Sequence, residues 1–199
     1  HAGETHEVYL PEGRYLNTTG GSWNSVSFEA QENTRVYGPG IVVARYHFNC
    51  NTKAAQEYAG SFKVSSGKTL KIESYIRQRS GDMTPWGGPG VFGAGTLYLC
   101  SSNNLPGDAR IQETGGTLAV DKIGLKGCRP DESNLGTGNG IRFMADGTLE
   151  YRGATDETTD RDLIVSNNSK VVTMTLVNAG GGVLTWRGEA KQMYAASEN

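Results

Sequence analysis

The chain has 199 residues, 19 basic against 21 acidic for a formal net charge of −2, with 36 % hydrophobic residues and 28 glycines. That length suits one well-buried domain or at most two small ones. No basic block marks a nucleic-acid or anionic-membrane partner, and no apolar run approaches the roughly 18 residues of a membrane span.

Glycine runs at about twice its usual ~7 %. The apolar content is low for a compact globule but too patterned for disorder. Residues His1-Ala2-Gly3-Glu4-Thr5-His6-Glu7 lack the charged-then-apolar layout of a signal peptide, so a signal is expected to be already removed or never present. Glu7–Gly13 reads as a strand closed by a Pro/Gly turn, and Ser25–Glu29 alternates cleanly. Thr34–Gly40 opens the run Ile41–Ala44, with Pro39 between two glycines marking a corner. Residues 51–60 hold the only helix-friendly composition, enough for a single short turn.

From residue 61 the pattern becomes regular. Ser61–Val64 and Thr69–Ile72 alternate polar and apolar residues. Residues 80–95 read as a long Gly/Pro loop carrying Trp86 and Phe92, and residues 101–110 and 124–140 as further loops. Strand signals are dense again from Asn139 to Trp186, with an extra strand over Val172–Leu176, while Gln192–Asn199 shows no pattern. The division expected is an N-terminal cap with first coils over 1–60 and a regular part over 61–199, in one continuous domain.

Five stretches share one wording: Gly67-Lys68-Thr69-Leu70-Lys71-Ile72, Gly95-Thr96-Leu97-Tyr98-Leu99, Gly116-Thr117-Leu118-Ala119-Val120, Gly147-Thr148-Leu149-Glu150-Tyr151 and Gly182-Val183-Leu184-Thr185-Trp186. Their leucines lie 27, 21, 31 and 35 residues apart. Such a period in a helix-poor, Gly-rich chain predicts an all-β solenoid of parallel coils with long Gly-rich loops. A period-2 strand puts Leu70/Ile72, Leu97/Leu99, Leu118/Val120, Leu149/Tyr151 and Leu184/Trp186 on one face. Stacked, these pairs form a core ladder, each buried side chain stabilising by about 1.5–3 kcal/mol. The rival fold is a β-sandwich, but hairpins predict a spacing of roughly 8–12 residues.

Three cysteines, Cys50, Cys100 and Cys128, leave at least one without an intrachain partner. Cys100 and Cys128, about one coil apart, are the expected disulfide, competing with the reading that all three are free thiols. Their spacing fits no zinc motif. Asp156, Glu157, Asp160 and Asp162 around Arg161 form the most acidic cluster. Clustered carboxylates serve calcium sites and polysaccharide chemistry, but a solvated loop is the preferred reading and no residue is assigned as catalytic. His1, with His6 or His47, is the one arrangement that points to copper, and a processed or appended terminus explains it better. Tyr9, Tyr15, Trp23, Tyr37, Tyr46 and Tyr58 enrich the first third in aromatics, for core and cap packing or for stacking on sugars.

Residues 135–188 carry further wording: Gly138-Asn139-Gly140-Ile141, then Asp146-Gly147-Thr148-Leu149-Glu150-Tyr151-Arg152-Gly153-Ala154-Thr155, then Thr158-Thr159-Asp160-Arg161, then Gly180-Gly181-Gly182-Val183-Leu184 and Gly188. This resembles the autotransporter-associated β-strand repeat. The resemblance implies a right-handed parallel β-helix, exported to and displayed on a bacterial surface, usually without catalytic residues of its own; separately, no cofactor is expected.

A β-helix without caps leaves unpaired strands at its ends. Val8, Tyr9 and Leu10 near one end, and Trp186 near the other, are the expected assembly residues. The function expected is a secreted or cell-surface building block whose partner is itself, assembling end to end into an extracellular filament. No metal, nucleic acid or membrane insertion is expected. The alternatives are a glycan- or host-surface-binding adhesin module, and a polysaccharide lyase or hydrolase in which Asp156, Asp160 and Arg161 converge in a groove.

Overall fold

A computed structural model describes residues 4–16, 28–44, 61–78, 88–166 and 171–193. Within them the chain is almost entirely strand and connecting loop. The first turn holds β1 (His6–Tyr9), β2 (Arg14–Leu16) and β3 (Phe28–Ala30), and the second β4 (Thr34–Tyr37), β5 (Ile41–Ala44) and β6 (Ser61–Val64). The third holds β7 (Thr69–Ile72), β8 (Ile76–Gln78) and β9 (Gly90–Phe92), and the fourth β10 (Thr96–Leu99), β11 (Asn103–Asn104) and β12 (Ala109–Ile111). The fifth has β13 (Gly116–Val120) and β14 (Gly140–Phe143), with a 3-10 turn at Pro130–Glu132 between them. The sixth holds β15 (Gly147–Tyr151), β16 (Glu157–Thr159) and β17 (Asp162–Val165), and the seventh β18 (Met174–Asn178), β19 (Leu184–Trp186) and β20 (Ala190–Gln192).

Strands pair with their counterparts in neighbouring turns. The first sheet runs β1-β4-β7-β10-β13-β15-β18 and a second runs β3-β6-β9-β12-β14-β17-β20. The middle strands form β2-β5-β8-β11 and, separately, β16-β19. All sixteen strand pairs among the described residues are parallel. The arrangement is compatible with a β-solenoid and opposite to the antiparallel pairing of a hairpin sandwich. Strands from either side of residues 45–60 share sheets: β3 pairs with β6, and β4 with β7.

The first sheet sets the register. One inward row reads Thr34, Leu70, Leu97, Leu118, Leu149, Leu176, and the next Val8, Val36, Ile72, Leu99, Val120, Tyr151, Asn178. Leu70, Ile72, Leu97, Leu99, Leu118, Val120, Leu149 and Tyr151 are all at most 2 % exposed. Leu184 and Trp186 are not on this sheet: they lie in β19, beside Glu157 and Thr159. The rung above Leu149 and Tyr151 is Leu176 and Asn178. Gly182 sits at a close approach, where a Cβ would overlap the Thr155 carbonyl of the turn below, and the strand after it belongs to another face. The Gly-x-Leu wording at 182–184 therefore marks a tight corner.

Two further ladders stitch the turns. At one corner Ser74 Oγ donates to Gly38 O (3.1 Å), Ser101 Oγ to Ser74 O (2.7 Å) and Asn134 Nδ2 to Ser101 O (2.8 Å). On the outer face of the first sheet Arg35 bridges Glu7 (3.3 Å) and Glu73 (2.7 Å), and Lys71 also reaches Glu73 at 2.5 Å. The Tyr98 ring is flanked by Lys71 Nζ (5.4 Å) and Arg152 Cζ (4.6 Å). These exposed pairs contribute about 0–1 kcal/mol each. The inward rows carry most of the stability.

Removing the middle of a row leaves a cavity that neighbours on both sides cannot fill. Leu118→Ala is expected to cost about 2–5 kcal/mol in urea unfolding, whereas Val183→Ala, at an exposed site, shifts stability by no more than about 0.5 kcal/mol. Equal small effects would mean that Leu118 is not a core rung.

Candidate functional site

The middle face is interrupted in the fifth turn. Between β13 and β14 the chain leaves the strand path in a two-limbed loop over residues 121–139. The outgoing limb lies on the sixth turn: the amides of Ile123 and Gly124 donate to Glu157 Oε1 (2.8 and 2.5 Å). The returning limb lies on the fourth turn, with Asn103 N donating to Ser133 O and Thr137 N to Leu105 O. Ile123 and Leu135 insert one apolar side chain from each limb into the core, both fully buried. Asn134 Oδ1 closes the loop on itself, accepting the amides of Asp121 (3.0 Å) and Lys122 (2.7 Å).

An open groove of about 860 Å³ runs beside this loop, lined among others by Cys100, Asp121, Lys122, Cys128, Arg152 and Glu157. Its polar groups are largely engaged. Tyr98 donates to Asp121 (2.7 Å), Arg152 pairs with Glu150 (2.8 Å), and Glu157 holds the loop amides. Burial pushes the Cys100 thiol up to about 12, so it stays protonated and a poor nucleophile at neutral pH. Burial also raises Tyr98, and its hydrogen bond to Asp121 adds to the shift.

Arg161 pins the loop from the sixth turn. Its side chain is completely buried. Nε donates to Gly124 O (3.3 Å), Nη1 to Gly138 O (2.5 Å), and Nη2 to Gly136 O (2.6 Å), Ser133 Oγ (3.2 Å) and Cys128 Sγ (3.4 Å). The planar fork thus satisfies backbone carbonyls on both limbs at once, which a lysine's single ammonium would not do. Burial lowers its pKa, opposed by the thiol and by nearby Asp108 and Asp160.

The acidic segment is a set of clips between turns. Asp156 Oδ1 accepts Val183 N of the seventh turn (2.8 Å), whereas Asp160 Oδ1 accepts Lys126 N of the fifth (2.7 Å). Asp162 joins all three turns through Lys126 Nζ (2.7 Å), Lys191 Nζ (2.8 Å) and Glu189 N (3.1 Å). Asp156 and Asp160 therefore reach in opposite directions and Arg161 turns inward, so the convergence required of a lyase is not formed. Among the described residues no three His, Cys, Asp or Glu side chains gather as a metal would require.

Cys100 and Cys128 are free thiols rather than a disulfide, although both line the groove. The loop carrying Cys128 leaves the stacked path, so one coil of sequence separation does not place the two sulfurs in successive rungs. Cys50 lies outside the described residues, as do His1, His47, Trp23, Tyr46 and Tyr58. At the N-terminal end Val8 and Tyr9 are 37 % and 56 % exposed, but Leu10 is buried and belongs to the core, not to an edge. Trp186 packs half-buried against that core, with its Nε1 buried and without a hydrogen-bond partner. Among the described residues at the C-terminal end, the large exposed apolar side chains are Val171, Leu176, Val177, Val183 and Met193.

Leu176 and Val177 escape the repeat pattern because Thr173 and Met174, not glycine, precede Thr175. The 27-residue step from Leu149 to Leu176, identical to that from Leu70 to Leu97, is the signal that finds them. The buried side chains of Asn103 and Asn134 have no such signal, since both lie in stretches that read as loops. Compared with known protein families, curated proteins and solved structures, the chain matches none.

Burial raises the Asp162 pKa, but hydrogen bonds from Lys126, Lys191 and the Glu189 amide outweigh this and bring it from 3.8 down to about 2. Because the folded value lies below the unfolded one, its stabilisation is complete above about pH 4 and lost as pH falls through about 2. Asp162→Asn should therefore lower the urea midpoint at pH 5 and show a shallower further loss towards pH 2 than the parent. Parallel pH profiles for the two would remove Asp162 as an acid-sensitive tie.

Proposed function

We propose that this chain is a non-enzymatic structural unit: a right-handed parallel β-helix, secreted or displayed on a bacterial surface, that assembles end to end into an extracellular filament. The observation that carries this reading is the pair of open ends. Among the described residues no strand pairs with the outer edge of β1 or of β18, and both edges expose apolar side chains, Val8 and Tyr9 at one, Leu176 and Val177 at the other. Unpaired edges of this kind recruit further strands unless they are blocked. The autotransporter-like wording of residues 135–188 supports the exported, surface-displayed part of the reading.

The rival readings draw less support. An adhesin that stacks on sugars needs free ring faces; of the aromatics expected for that role Tyr37 lies under Arg35 at 4.5 Å with Tyr9 at its edge, and Trp23, Tyr46 and Tyr58 lie outside the described residues. Hydrolysis or elimination needs carboxylates aimed into one space, and those of 156–162 are spent on neighbouring turns.

Size-exclusion chromatography with light scattering, followed by negative-stain imaging, checks the proposal over a rising protein concentration. Linear oligomers that lengthen with concentration are expected. A single monomeric species up to the millimolar range would overturn it.

A further inference from the structure

We propose that Asn139 is a self-modification site: the Gly140 nitrogen attacks its side-chain amide, with Asp108 as the base, and the residue ends as aspartate or isoaspartate. This chemistry is independent of the assembly reading above and belongs to a bend in the interior of the stack.

Asn139-Gly140 is the single Asn-Gly step in the chain. Ring closure is least hindered at such a step, because glycine has no Cβ to shield the attacking nitrogen. Asn139 is exposed at a bend ahead of β14. The hydrogen bonds that hold this bend use its main chain: Asn139 N donates to Asp108 Oδ1 (3.1 Å) and Asn139 O accepts Asp162 N (3.1 Å). Its side-chain amide is left to swing over the following peptide. Gly140 N donates to the same Asp108 Oδ1 at 2.8 Å. Arg142 holds the other carboxylate oxygen through Nε (2.8 Å) and Nη2 (2.7 Å), which fixes the carboxylate in place. An acceptor on an N–H lies in the peptide plane, so both faces of the nitrogen stay open while the carboxylate can receive its proton. The other Asx-Gly step, Asp146-Gly147, is disarmed. There Asp146 Oδ1 accepts Thr173 N (2.7 Å) and Gly147 N donates to the Thr173 carbonyl (3.2 Å), which takes no proton.

The step balances with no oxidant or cofactor. Asp108 takes the Gly140 amide proton as the bond from Gly140 N to Asn139 Cγ forms. The Cγ–Nδ2 bond breaks, and Nδ2 leaves as ammonia carrying that proton. Water then opens the succinimide: attack at Cγ gives aspartate, and attack at the main-chain carbonyl carbon gives isoaspartate, whose backbone runs through Cβ and Cγ and is one carbon longer. Either product sets a second carboxylate close to Asp108. The longer one falls between two held points, Gly138 O on Arg161 Nη1 and Gly140 N on Asp108. It also lies at the foot of β14, whose Ile141 is paired with Ala109 and Leu163. Conversion therefore weakens the hold of Arg161 on the returning limb of the loop.

Incubating the folded chain at mildly alkaline pH, with intact-mass measurement and peptide mapping over time, should show amide-to-acid exchange at Asn139 ahead of every other asparagine. Asn139→Gln, at an exposed site, should keep the fold and lose the signal, because the longer side chain closes a ring slowly. The part played by Asp108 is read from the sign of its variant. Asp108→Asn should slow conversion by about tenfold or more, whereas removing a residue that merely pins the bend would speed it. If circular dichroism shows Asp108→Asn misfolded, the parent decides: Asn139 should convert faster in the native state than in urea, where Asp108 no longer stands beside Gly140. Conversion first at another asparagine would overturn the site. An unchanged or faster rate in folded Asp108→Asn, or slower conversion of the native parent than of the unfolded one, would overturn the base.

Discussion

The structure depends on one constraint: inward side chains spaced two apart must fall on their counterparts in the turns above and below. A chain with 36 % hydrophobic residues cannot fill a broad core. It can fill a narrow one, because each rung needs only a few apolar side chains and shares their contacts with two neighbours. A slip of one residue would turn Leu97 and Leu99 outward and Thr96 and Tyr98 inward, and the loss would recur on every affected rung. Register is therefore enforced collectively, and the polar ladders at the Ser74–Ser101 corner and along Arg35–Glu73 follow from it.

The fifth turn shows what happens where the strand path is abandoned. A two-limbed loop there replaces one strand of the middle face and has to satisfy its own backbone. It does so largely with side chains from the sixth turn: Glu157 and Asp160 for amides, Arg161 for carbonyls. An arginine is suited to that place because its five donors point in a fixed plane and carry charge. The same residues that resemble a reactive cluster in one dimension are in three dimensions the fastening of a loop. The groove beside it is a consequence of the detour.

The inward rows were legible in the sequence because period-2 alternation and a recurring glycine both mark the rung, as at Gly95-Thr96-Leu97 and Gly147-Thr148-Leu149. The seventh rung was misplaced because the wording Gly182-Val183-Leu184 serves a corner, whereas the true rung at Leu176 lacks its glycine. Strands β11 and β12 fall where Gly, Pro and Asn suggest only loop: they are two and three residues long, too short to show a period. The thiols misled for a related reason, since distance along the chain converts to height in the stack only where the path is regular. The inward turn of Arg161 left no mark at all in a segment of charged residues. Its partners are carbonyls, and these carry no side-chain signal.

Everything proposed about the ends follows from parallel, in-register stacking, so that stacking is the claim to measure. Spin labels on the outward row of the first sheet, in a background lacking Cys50, Cys100 and Cys128, report it directly by pulsed dipolar spectroscopy. Positions 35 and 150 are four rungs apart and positions 7 and 177 six, which at about 4.8 Å per rung gives backbone separations of about 19 and 29 Å. The account predicts two narrow distributions whose centres differ by about 10 Å. Equal distances for the two pairs, or a shorter one for 7 and 177, would contradict it.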